Sequence, residues 1–213
     1  MGKKGKLPFR GANKREHELL VAAFNGKNSK IVSLLEKISP HCIDEVHGVT
    51  PLIVATRKGH VECVATLLNN VRCNIMHRDR QNNTALHYIG HASGVDALKI
   101  VKLFETHSEC DWSLPGANSR TPLHCAVLHN NLPAVRRMLK HSTPQINALD
   151  ADGCTAVLLA VRQRNVDILL QLIHSGAQFR GEEECGRSAA HECATRDYAP
   201  GIYALRAVAG ELN

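Results

Sequence analysis

The chain has 213 residues, 44% of them hydrophobic but only 4% aromatic, and a formal net charge of +6. Six of its 26 basic residues and none of its 20 acidic ones fall in residues 1–15, which leaves the remaining chain balanced at 20 of each. A neutral body argues against nucleic-acid binding, and no apolar run approaches the ~18 residues that a membrane-spanning helix needs.

Residues 1–15 mix Lys3, Lys4, Lys6, Arg10, Lys14 and Arg15 with Gly and Pro and show no apolar periodicity. They are expected to be a disordered basic tail, suited to weak nuclear targeting or to contact with an acidic surface. Gly2 is not read as a myristoylation site, because position 6 is Lys where that motif needs Ser or Thr. No signal-peptide core follows Met1, and the eight Cys contain no C-x-x-C pair. Together these point to reduced thiols in an intracellular protein, cytoplasmic or nuclear.

From residue 16 the pattern becomes helical. Leu19, Leu20, Ala22 and Ala23 make one apolar face, and Ile31, Val32, Leu34 and Leu35 make another, with Asn25-Gly26 as the turn between them. Thr50 is expected to cap the next helix with Pro51 in its first turn, and Gly59 to end it in a left-handed conformation. Val61, Val64, Leu67 and Leu68 then form the stripe of a partner helix. The same layout returns with Leu132, Val135, Met138 and Leu139, and again with Val166, Ile168, Leu169, Leu172 and Ile173.

A short phrase marks the start of each pair. It reads Thr50-Pro51-Leu52-Ile53-Val54-Ala55, Thr84-Ala85-Leu86-His87, Thr121-Pro122-Leu123-His124-Cys125-Ala126, Thr155-Ala156-Val157-Leu158-Leu159-Ala160 and Ser188-Ala189-Ala190-His191-Glu192-Cys193. The lead residues step by 34, 37, 34 and 33. A nearly fixed period means stacked units that pack on their neighbours, not one globular core.

The phrase Thr121 to Ala126, together with the lead-in Asp150-Ala151-Asp152-Gly153-Cys154-Thr155, closely resembles the ankyrin repeat family, whose unit of ~33 residues is a β-turn and two helices. The resemblance implies an all-α solenoid of about six helix–turn–helix units joined by short β-hairpin-like loops. The units fall near 16–46, 47–80, 81–117, 118–151, 152–184 and 185–213, behind the tail 1–15. The third unit is too long, which predicts a protruding loop at Gly90–Gly94. Arg164 stands where the second unit has Gly59, which predicts a strained or differently shaped turn. Gly210-Glu211-Leu212-Asn213 looks like the family's exit phrase, so the array is expected to continue past the chain end.

Several residues tempt a catalytic or metal-site assignment. His87, His124 and His191 share the fourth position of the repeated phrase, which the resemblance makes structural. His87 and His91 have the spacing of a metal pair, but no third ligand is apparent. His77-Arg78-Asp79 copies a kinase triplet without the motifs that give it meaning. Cys125 and Cys193 fit as small core fillers. No enzyme, metal or cofactor is therefore expected.

The resemblance implies a protein partner across the concave face, built from hairpin tips and the outer positions of the first helices. The matching residues are Arg57, Lys58, Arg78, Arg80, Arg120, Leu128, His129, Arg162, Gln163, Arg187 and Arg196. Their basic bias suits an acidic segment, because Arg forms forked contacts with carboxylates. The chain is expected to be monomeric and non-catalytic. The alternative is the recognition or regulatory region of a larger enzyme or channel. Asn147 and Asn213, each following a Leu and apolar residues, match the layout of the asparaginyl hydroxylation seen in some ankyrin domains.

Overall fold

The computed structural model describes residues 13–140, 145–179 and 188–211. In chain order the helices are α1 (Lys14–Phe24), α2 (Asn28–Leu35), α3 (Pro51–Lys58), α4 (Val61–Leu68), a 3-10 helix (Ala85–His91), α5 (Gly94–Glu105), a short 3-10 turn (Ala117–Ser119), α6 (Pro122–Leu128), α7 (Leu132–Met138), α8 (Ala156–Arg162), α9 (Val166–His174), α10 (Ala189–Thr195) and α11 (Ala199–Glu211). No strand occurs among the described residues. The first helix of each pair packs on the first helix of the next, from α1 through α3, the 3-10 helix, α6 and α8 to α10. The second helices, α2, α4, α5, α7, α9 and α11, form a parallel layer behind them.

The apolar stripes read from the sequence meet between these layers in one continuous core. It runs from Leu19 and Leu20 through Leu52, Ile53, Leu67, Leu86, Ile100, Phe104, Leu123, Met138, Leu158, Leu169 and Leu172 to Cys193 and Leu205. Fully burying one such side chain contributes roughly 1.5–3 kcal/mol, and every unit supplies several, so a nearly aromatic-free sequence still closes a core.

The repeated phrase works as a set of caps. Thr50, Thr155 and Ser188 each accept the N–H three residues on, from Ile53, Leu158 and His191. Asn13 and Glu16 form a reciprocal box at the start of α1. Helix α1 therefore begins at Lys14, and Lys14 and Arg15, expected in the basic tail, belong to it. Residues 1–12 lie outside the described part.

Between the paired helices the chain turns through left-handed residues: Gly26, Gly59, Asn130, Arg164 and Asp197 all have positive φ. Arg164, with φ of 55°, adopts the same turn as Gly59, so of the two expected outcomes the backbone strain is present and the change of shape is not. Its guanidinium donates to the Asp197 carbonyl at 2.8 Å and lies over the Tyr198 ring, contacts that offset the backbone cost.

The long third unit also differs from expectation, because its extra residues do not protrude. The 3-10 helix leads into an extended link at Ala92 and Ser93, and Ser93 caps α5. Asn131 Nδ2 donates to the carbonyls of Gly90 and Ala92, at 3.2 and 2.9 Å, and clamps the link onto the next unit. The added length lengthens α5 to 12 residues, against 8 in α4. Gly90 permits a close approach here, because a Cβ would sit 3.0 Å from the Ala126 Cα and the Cys125 carbonyl oxygen and force the neighbouring backbone to give.

The loops between units are hairpin-like and built around buried aspartates. Asp79 Oδ1 accepts the N–H groups of Gln81 and Asn83, and Asp150 Oδ1 those of Asp152 and Cys154. Backbone bonds join neighbouring loops, from Arg80 N to the His47 carbonyl and from Ala151 N to the Asn118 carbonyl. The hairpin tips and the first-layer helices thus form one continuous face.

Candidate functional site

Two of the three motif histidines, His87 and His124, are framework, whereas His191 is exposed and, among the described residues, bonds only Ser188 at the start of its own helix. His87 Nδ1 accepts the Thr84 N–H at 3.1 Å, so its other nitrogen carries the proton and donates to the Leu114 carbonyl at 3.0 Å. His124 repeats this with Thr121 and the Ala148 carbonyl. Burial holds both imidazoles neutral, with His87 pushed down to about 4 and His124 lowered as well. His60 ties units one and two through the Phe24 carbonyl at 3.0 Å.

His87 and His91 do not share a site. His91 stacks on His129, with ring centroids 3.8 Å apart, while His87 faces the inter-unit contact. Among the described residues no group of three or more His, Cys, Asp or Glu is placed to hold a metal ion. His77, Arg78 and Asp79 each serve the hairpins: His77 reaches the Gly48 carbonyl, Arg78 donates to the Pro115 carbonyl, and Asp79 receives N–H groups and the Tyr88 hydroxyl. Six of the cysteines are held in the poorly nucleophilic thiol form. Burial pushes Cys42 and Cys110 up to about 12 and Cys73 and Cys125 to about 11, and raises Cys63 and Cys193.

The basic residues of the hairpin face separate into two groups. Toward the C-terminal end they meet carboxylates. Arg120 pairs with Asp150 at 3.3 Å and Asp152 at 3.7 Å. Arg162 and Arg196 converge on one buried carboxylate, Glu192, at 3.0 and 2.6 Å. Burial alone would raise that carboxyl, but the hydrogen bonds from Arg196 and Arg162 outweigh it and hold it below the usual range. Gln163 and His129 are exposed and Leu128 half-buried on the same face. Arg187 and Asn213 lie outside the described residues.

Toward the N-terminal end Arg57, Lys58, Arg78 and Arg80 form no ion pair with any described carboxylate, Asp44 being bonded to His47 and Asp79 to its own hairpin. Arg57 lies over the Tyr88 ring, 5.6 Å from its centroid, and Lys58 over the Phe24 ring at 4.2 Å. Arg78 and Arg80 donate to backbone carbonyls, those of Pro115 and Glu45. Phe24, His47, Val49, Ile53, Val54, Arg57 and Lys58 enclose a cleft of about 290 Å³ between the first hairpin and α3. Sequence reasoning named only the two cations of this cleft. Its walls come from two units, and no local pattern announces that Phe24 will face Lys58.

Asn147 is half-buried, and its Oδ1 accepts the Gln178 N–H at 2.8 Å, tying one exit turn to the next.

The family model described as ankyrin repeats (3 copies) matches residues 19–102 and 89–183. The chain belongs to the ankyrin repeat family. Solved ankyrin repeat structures share its fold. The ankyrin repeat protein EF0377 superposes with a TM-score of 0.78 over 90% of this chain and 97% of that one, at 21% identity. An ankyrin repeat domain from Acinetobacter baumannii AYE gives 0.76 over 92% and 98%, at 24% identity. A chain in the complex of the predatory endopeptidase Bd0816 of Bdellovibrio bacteriovorus with immunity protein Bd3460 gives 0.76 over 89% and 96%, at 23% identity. These likenesses show the fold alone. Neurogenic locus notch homolog protein 1 of Xenopus tropicalis is 32% identical over 113 residues, and that of Mus musculus 33% over the same length. The match spans 53% of this chain and 4% of those proteins.

Ankyrin repeats are protein–protein interaction modules, and among the described residues no helix is long and apolar enough to cross a membrane.

Proposed function

We propose that this ankyrin array is a non-catalytic binding module that holds an acidic segment of a partner protein on the hairpin face of units two and three. The observation that carries this is the division of charge. Arg57, Lys58, Arg78 and Arg80 have no ion-pair partner among the described residues, whereas Arg120, Arg162 and Arg196 are neutralised within the fold. An incoming carboxylate gains most where no internal carboxylate competes, and uncompensated cations on one face also steer an acidic partner toward it. The elongated face offers backbone and side-chain contacts over several units, as repeat architectures do.

The face can be mapped by hydrogen exchange on the complex with a partner isolated by affinity capture. Protection should appear in α3, in the 3-10 helix Ala85–His91 and in the loops around 44–49 and 79–83. Protection confined to α4, α5 and α7 would place the partner on the opposite layer and end this proposal.

A further inference from the structure

The cleft beside α3 has two kinds of lining. Phe24, Val49, Ile53 and Val54 supply an apolar floor and wall, while Arg57 and Lys58, consecutive in the last turn of α3, supply a cationic rim beside His47, whose ring is bonded to Asp44. At about 290 Å³ it lies just below the ~300–1,000 Å³ of pockets that enclose whole small molecules, so it suits one large side chain of a longer ligand. The two cations are already ordered, because each rests on an aromatic ring contributed by a neighbouring unit. Ordering them before binding reduces the side-chain entropy lost in the complex.

The rim dictates the charge of the occupant. Covering Arg57 and Lys58 with a neutral apolar surface would strip water from two charges without replacing it, which opposes binding. A carboxylate next to the seated side chain removes that penalty, and the Arg fork can hold it with two parallel hydrogen bonds. An apolar anchor ringed by polar contacts is also the arrangement in which interface energy concentrates.

We infer that the cleft seats one large aliphatic or aromatic side chain of an extended partner segment, with an adjacent Asp or Glu of that segment paired to Arg57 and Lys58. This rests on the binding face proposed above and goes beyond it by specifying an anchor residue and its acidic neighbour.

Selection of a random peptide-display library on the intact chain tests it. The enriched peptides should place a Leu, Ile, Met, Phe or Trp within two positions of an acid. Affinity of the best one should fall about tenfold or more on Arg57→Glu with Lys58→Glu. In a double-mutant cycle, Phe24→Ala and replacement of the peptide's apolar residue by Ala should be non-additive, a readout that simple loss of stability does not produce. If the two cations serve only to complement the C-terminus of α3, charge reversal will lower the melting temperature and leave peptide affinity unchanged, which overturns the inference. Peptides insensitive to changes in the cleft but lost on Arg78→Glu with Arg80→Glu would overturn the anchor and leave the binding face standing. Peptides insensitive to all four reversals, or no enrichment at all, would overturn both.

Discussion

His87 Nε2 donates to the Leu114 carbonyl at 3.0 Å while its Nδ1 receives the Thr84 N–H, so one buried imidazole closes its own helix start and fastens the loop 27 residues later. His124 makes the same pair of contacts one unit on. Replacing His87 by Ala strands a buried N–H and a buried carbonyl and opens a cavity. At ~1–3 kcal/mol for each unsatisfied group, a loss on the order of 3 kcal/mol is expected in urea unfolding.

The same residues set an acid limit. Both imidazoles titrate lower when folded than their ordinary value of 6.5, His87 at about 4, because of burial. A depressed folded value means that the unfolded chain binds protons first as pH falls. The stabilisation is whole above pH 6.5 and is lost between there and about 4. The melting temperature should drop over that window, and His87→Gln with His124→Gln should flatten the profile while lowering stability at neutral pH. An unchanged slope in the double variant would show that other groups control the transition.

Glu192 is 1% exposed and holds two arginines from two units. Glu192→Gln should cost roughly 1–2 kcal/mol, below the ~3–5 for a fully buried pair, because both arginines keep water on one side. It should also extend the uncompensated basic face to the C-terminal units. A salt series of partner affinity would record this as a steeper dependence than in the native chain.

Two glycines separate contact from conformation. A Cβ on Gly116 would clash with Asn83 Oδ1 and stand 2.7 Å from the His87 ring. Asn83 Oδ1 is the group that accepts the Ala117 N–H. A Cβ on Gly176 would meet nothing within 4 Å, but φ there is +90°. Gly116→Ala should therefore destabilise by about 2–3 kcal/mol through displaced packing, and Gly176→Ala by about 1 kcal/mol through backbone strain alone.

Arg164 offers a sharper balance. A left-handed non-glycine residue costs ~1–2 kcal/mol, which its hydrogen bond and ring contact roughly offset. Arg164→Gly should be close to neutral, whereas Arg164→Ala keeps the strain, loses both contacts and should be the less stable of the two by thermal melting.

What the sequence made legible was local and periodic. The lead Thr and Pro forecast caps, the apolar stripes forecast the two layers, and Gly59 forecast its turn. What escaped was set by stacking between units about thirty residues apart. Arg162 looked free in its own unit, yet its partner Glu192 arrives from the next one at 3.0 Å. Phe24 and Tyr88 gave no sign of fixing Lys58 and Arg57, because the rings and cations come from different units. The extra residues of the third unit resembled a loop because they include Gly90 and Gly94, but close approach to Ala126 and the cap by Ser93 turned that length into packed backbone and helix.

The central claim is that the binding face lies where the cations are uncompensated. It is tested most directly by measuring calorimetric affinity for one captured acidic partner on two folded variants. Arg57→Glu with Lys58→Glu should weaken binding about tenfold or more, and Arg196→Ala, whose residue is already paired to Glu192, should change it by less than about twofold. The opposite order, with Arg196→Ala the more damaging change, would contradict the account.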